Sequence, residues 1–114
     1  MQFLNLTPHS ITIRREDGTE IHVPADGTVA RVVMRETVVS VADGVAYVRR
    51  VAGEVIGVPK HADGTDNTTI PVIVSSMVLA ALPGRGNTYA PDTGPSAVRD
   101  ASGHVVAVTR LVCA

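Results

Sequence analysis

One stretch of this chain gathers the groups from which binding and catalytic sites are built. Asn87-Thr88-Tyr89-Ala90-Pro91-Asp92-Thr93-Gly94-Pro95-Ser96-Ala97-Val98-Arg99-Asp100, then Gly103-His104, brings carboxylates, hydroxyls, an arginine and an aromatic ring into a run of turns. Loops on a rigid scaffold are where such groups usually act. Turn amides, the Thr93 and Ser96 hydroxyls and the Arg99 fork suit a phosphate or pyrophosphate. Tyr89 offers a face to a base, in a chain with two tyrosines, one phenylalanine and no tryptophan. A plainer reading stands beside this one. Pro91-Asp92-Thr93-Gly94 is a good β-turn sequence, with proline fixing φ, Asp bonding back to the chain and Gly taking a left-handed position. A turn alone, however, does not need Asp92, Thr93, Ser96, Arg99 and Asp100 together.

Other chemistries fit less well. Asp92-Thr93-Gly94 spells the aspartic-protease triplet, which as a single copy would need a dimer, so that two carboxylates share a proton. That triplet belongs early in a protease chain, after a hydrophobic strand, whereas here it follows Ala90-Pro91 close to the C-terminus. His9, His22, His61 and His104 show no metal-ligand spacing on one element, so no metal is expected. His61-Ala62-Asp63-Gly64-Thr65-Asp66-Asn67 lacks the closing glutamate of a calcium loop and reads as a solvated loop. No serine or cysteine has a histidine and an acid at the spacing of a nucleophile triad. Arg49-Arg50 is a strand dipeptide whose side chains face opposite ways, so at most one lines a given pocket. No catalytic residue and no cofactor is expected.

The elements that must position the turn block are mostly strands. Ser10-Ile11-Thr12-Ile13-Arg14-Arg15 alternates, meets Asp17-Gly18 and continues as Ile21-His22-Val23, a hairpin whose turn tolerates positive φ. Thr7-Pro8-His9 ends a short first strand. Val29 to Val41, the longest β-favouring stretch, leads through Asp43-Gly44 into Val45-Ala46-Tyr47-Val48-Arg49-Arg50. Gly53 and Gly57 flank a further short strand, Glu54-Val55-Ile56. Pro59 to Thr68 is a polar loop. Thr69 to Val74 is a strand, with Pro71 marking an edge or a strand start. Ser75 and Ser76 cap the only helix, Met77 to Leu82, which Pro83-Gly84 stops. Val98 to Val105 forms a third hairpin, and Val105 to Val112 closes the fold. The expected class is mainly β (α+β), a single domain over 1–114, with an antiparallel meander curling around one short helix near residues 76–83.

Composition narrows the partners. Formal net charge is −1, and Lys60 is the only lysine, so the basic excess needed to coat duplex DNA is missing. Arginine without lysine points to forked hydrogen bonding instead. The apolar fraction of 45% leans on valine, which suits strands. Those Val-rich strands carry few charges, so apolar surface should stay uncovered in a monomer and at least a homodimer is expected. No apolar run reaches the roughly 18 residues of a membrane span, and the N-terminus lacks the pattern of a secretory signal. With the single Cys113 read as a buried or fraying thiol in a reducing compartment, a cytoplasmic protein without DNA or membrane partners is expected.

Asn5-Leu6-Thr7-Pro8-His9, Ile73-Val74-Ser75-Ser76, Ala90-Pro91-Asp92-Thr93-Gly94-Pro95, Val98-Arg99-Asp100 and Gly103 together resemble the first family of phage Thoeris anti-defence proteins. The resemblance spans most of the chain, and its specific part is the final block. It implies a non-enzymatic sponge in the host cytoplasm that sequesters cyclic ADP-ribose-type signals made by bacterial TIR proteins, with cyclic oligonucleotides as further ligands. It also implies dimers that assemble further, with ligand pockets between protomers. An aromatic or apolar helix residue, an asparagine before the turn block and a basic residue in the last hairpin would contact ligand. In this sequence these fall at Met77, Asn87 and His104. Met77 departs from an aromatic and His104 from an arginine, which leaves Arg99 as a candidate for the phosphate. With Tyr89, Asp92 and Thr93 these make up the expected ligand site. The alternatives are a small phage structural or interaction protein without a small ligand and, more remotely, the dimeric protease using Asp92.

Overall fold

The computed structural model describes residues 2–114. Ten strands and one short helix follow one another as β1 (Leu4–Asn5), β2 (Ile11–Arg14), β3 (Glu20–Val23), β4 (Arg31–Ala42), β5 (Val45–Ile56), β6 (Val72–Ile73), α1 (Ser76–Ala80), β7 (Thr88–Pro91), β8 (Val98–Arg99), β9 (Val105–Ala107) and β10 (Leu111–Cys113). The protein is mainly β with one short helix and several antiparallel hairpins, as its sequence predicts. Both Asp-Gly signals are hairpin turns. Asp43 and Gly44 take φ of 52° and 74°, the paired positive values of a tight turn. Ser75 caps α1, its hydroxyl accepting from the Val78 amide at 3.3 Å.

The centre is built differently from a meander. Its four strands lie in the order β1-β6-β7-β10, with β1–β6 and β6–β7 parallel and β7–β10 antiparallel. α1 crosses from β6 to β7 and lies against one face of this sheet, so the strands do not curl around it. β6 begins immediately after Pro71, which resolves that residue as a strand start. As the second strand of four, β6 is buried on both sides. Val72 and Val74 join Leu6, Ala30, Val58, Val78, Leu79 and Ala90 in one apolar cluster, while Ile73 joins Ile13, Val23 and Val108 in another. One face of the sheet is covered by α1 and the root of β4–β5, the other by the β2–β3 hairpin.

Three further differences are local. The short strand expected at 54–56 is the end of a continuous β5, in which Gly53 lies beside a bulge. A Cβ there would stand 2.7 Å from the Val33 carbonyl oxygen, so only glycine permits the close approach. The closing run splits into β9, paired with β8, and β10, paired with β7. Cys113 is exposed rather than buried.

The polar loop 59–68 is pinned by a residue the sequence does not flag. Arg85 is buried and donates to Thr88 Oγ1 at 2.7 Å, to the Pro59 carbonyl at 2.9 Å and to the Asn67 carbonyl at 3.1 Å. Its Nε faces Asp66 at 3.5 Å. Asn5 plays the same part at the N-terminus. Its amide donates to the His9 and Val23 carbonyls, and its oxygen accepts from the Thr7 amide and hydroxyl. The Asn5-Leu6-Thr7-Pro8-His9 run therefore acts as an internal tie between β1 and β3.

Candidate functional site

The turn block hangs from the end of β7 and is closed by two arginines. Asp92 Oδ1 accepts from the Gly94 amide at 3.0 Å, and Oδ2 from Ser96 at 3.3 Å and from Arg110 Nη2 and Nε at 2.7 and 3.1 Å. The Gly94 amide first, and Arg110 next, hold the Asp92 carboxyl below the ordinary aspartate range. The β7–β10 register brings Asp92 and Arg110 together across 18 residues of sequence, which local patterning could not reveal.

Arg99 closes the second turn. Its two Nη atoms donate to the Gly103 and Thr93 carbonyls, both at 2.8 Å, so the guanidinium bridges the Thr93 turn and the last hairpin. Among the described residues Arg99 forms no ion pair, with Asp92, Asp100 or any other carboxylate. Asp100 instead accepts from the Ser102 and His104 amides at 2.9 and 3.0 Å and faces the His104 ring at 3.7 Å. An anion at this block would meet an arginine whose Nη atoms already serve carbonyls and a second arginine already serving a carboxylate.

Asn87 and Tyr89 form a separate pair. Asn87 takes φ of 55°, a left-handed value that asparagine tolerates better than most residues. Its amide donates to the Thr68 carbonyl at 3.0 Å, and its oxygen accepts from the Tyr89 hydroxyl at 3.1 Å. The Tyr89 ring meets Phe3 edge to face, centroids 6.2 Å apart. Met77 is 67% exposed on α1, and the His104 side chain is 81% exposed.

Hydrogen bonding thus links Asp92 to Arg110, Thr93 to Arg99 and Asn87 to Tyr89; neither Met77 nor the His104 ring hydrogen-bonds to any of them. Thr93 also lines a cavity of about 290 Å³ with Ser10, Ile11, Pro91 and Val105. A wider groove of about 760 Å³ runs past Phe3, Asn5, Ile21, His22, Asp26 and Ile70. Neither hollow takes in Met77, Asn87, Tyr89, Asp92, Arg99 or His104. Among the described residues, no helix is long and apolar enough to cross a membrane, and no three of His, Cys, Asp and Glu gather as a metal site. Compared with protein-family models, curated proteins and solved structures, the chain matches none.

Proposed function

We propose that this is a phage-encoded, non-catalytic binding protein that sequesters a cyclic nucleotide signal in the host cytoplasm and does so as an assembly of identical copies. The ligand is of the cyclic ADP-ribose type or a cyclic oligonucleotide, as the resemblance implies. The observation that carries this reading is the long β4–β5 hairpin. On one of its faces Met34, Val38, Val41 and Val48 are 45%, 59%, 66% and 43% exposed. A two-stranded ribbon of this length with bare apolar sides is marginal alone, and a second copy is the simplest cover. Met77 and His104, open in the single chain, then become surface that a neighbouring copy can close over a ligand. Retention without chemistry requires only such enclosure.

A second reading is favoured by the bonding of Arg99 and Asp92: the turn block is a structural corner, and the protein is an assembly component without a small ligand. Arg99→Ala separates the two. If the corner is structural, the variant melts lower, by about 1 kcal/mol for each hydrogen bond lost, and ligand affinity is unchanged. If Arg99 turns to a phosphate on binding, affinity falls by about tenfold or more while the melting temperature moves little. Calorimetry against a panel of cyclic nucleotides, beside thermal melts, reads both.

A further inference from the structure

Both faces of the β4–β5 hairpin carry exposed aliphatic side chains, but they differ in their charges. Paired residues on an antiparallel ribbon share a face, and successive pairs alternate. Glu36 pairs with Arg50, and their side chains form an ion pair at 2.8 Å on the face that carries Val38 and Val48. That face continues the packing of Val32 and Val55 against the core. The neighbouring pairs Arg35–Val51 and Thr37–Arg49 point the opposite way. Arg31 and Tyr47 lie on this outer face too: Arg31 is four residues from Arg35 on β4, and Tyr47 two from Arg49 on β5, with no extra residue on either strand in between.

The outer face therefore lines up Arg31, Arg35, Arg49 and Tyr47 among the exposed Val33, Val45, Val51 and Ile56. Among the described residues none of the three arginines has an ion pair or a side-chain hydrogen bond, and all are exposed. Tyr47 is 51% exposed. Glu54 is the one carboxylate on the two strands of this face, and it forms no ion pair. Successive residues on one face of a strand are about 6.8 Å apart, so Arg35, Arg49 and Tyr47 occupy consecutive rows. Unpaired guanidinium forks in a row, ending on an open aromatic ring, are the elements of a single-strand platform: charge along a backbone and a face for an unpaired base. The chain's net charge of −1 argues against a duplex, whose binding needs a broad basic field.

We infer that the outer face of the β4–β5 hairpin binds single-stranded nucleic acid, with Arg31, Arg35 and Arg49 on backbone phosphates and Tyr47 stacking on a base. The test is fluorescence anisotropy of the full chain with a labelled oligothymidylate of about a dozen nucleotides, between about 50 and 200 mM salt. Wild type binds, with a slope of log affinity on log salt near −2, the value for three phosphates on a single strand. Arg35→Ala with Arg49→Ala weakens binding by about tenfold or more, and Tyr47→Ala by about fivefold or more. Circular dichroism checks that the variants stay folded, and Arg35→Gln with Arg49→Gln repeats the loss of charge at nearly constant size. Absence of binding by wild type at low salt overturns the inference. So does unchanged affinity in both double variants, or a polyglutamate peptide that binds as tightly as the oligonucleotide.

Discussion

Asp92, the carboxylate of the protease-like triplet and a member of the expected ligand site, is bonded on both its oxygens. Its carboxylate ties the Gly94 amide, Ser96 and Arg110 at once, and its acidity is raised by those bonds. A folded pKa below the unfolded one, which is about 3.9, contributes stability that is present above the unfolded value and is lost as pH falls through the folded one. Asp92→Asn should therefore melt lower than wild type at pH about 7, and the gap should narrow as pH falls below the unfolded value; melting curves from neutral into acid measure it. A gap that persists in acid would mean that the ionised form is not what holds the turn. Arg85 makes the opposite case, since no sequence pattern separates it from any arginine after a Pro-Gly turn. Only its burial against three oxygen acceptors does so. Replacing it with methionine removes three hydrogen bonds and leaves the Asn67 carbonyl without this donor, while the Pro59 carbonyl keeps the Asn67 amide; urea unfolding should show a loss of about 3 kcal/mol, a large part of a typical domain's 5–15 kcal/mol, taken as an order of magnitude.

Among the elements, the hairpins were legible because their turns carry the signal locally. Asp17-Gly18 and Asp43-Gly44 need positive φ, and both glycines have it. Ser75 announced its helix for the same reason, a cap being a local bond. The central sheet was not legible. Leu4–Asn5 pairs in parallel with Val72–Ile73 across most of the chain, and parallel pairing leaves no turn to mark it. Gly53 was misleading because a glycine that ends a strand and one that allows a bulge look alike in sequence. The dipeptide Arg49-Arg50 divides as strand alternation requires: one arginine pairs with Glu36 and the other points away. If the apolar face of β4–β5 is where copies meet, Val38→Lys with Val48→Lys should give monomers by light scattering while the core, which these residues do not touch, keeps its circular dichroism. A multimer that survives both charges would move the contact elsewhere.

At the scale of the molecule, the chain is extended by its hairpin. Its radius of gyration is 17.1 Å, against about 13 Å for a compact chain of this length. Bulk composition hid how the hairpin's charges divide, because a formal charge of −1 averages a face whose arginine is ion-paired with an outer face of unpaired arginines. Strand alternation sorts them, and only the register shows which residues share a side. The expected ligand residues have a comparable history. Asn87 and Tyr89 met through a hydrogen bond, Thr93 and Arg99 through another, while Met77 and His104 stayed open. The central claim is that an assembly of this chain holds a cyclic nucleotide and does not alter it. The most direct measurement is to load the protein with a cyclic ADP-ribose-type signal, isolate it by gel filtration, release the ligand by heat and identify it by chromatography. Intact ligand should co-elute with a multimer. Altered ligand would show an enzyme, and no ligand from any cyclic nucleotide tried would leave an assembly component and contradict the account.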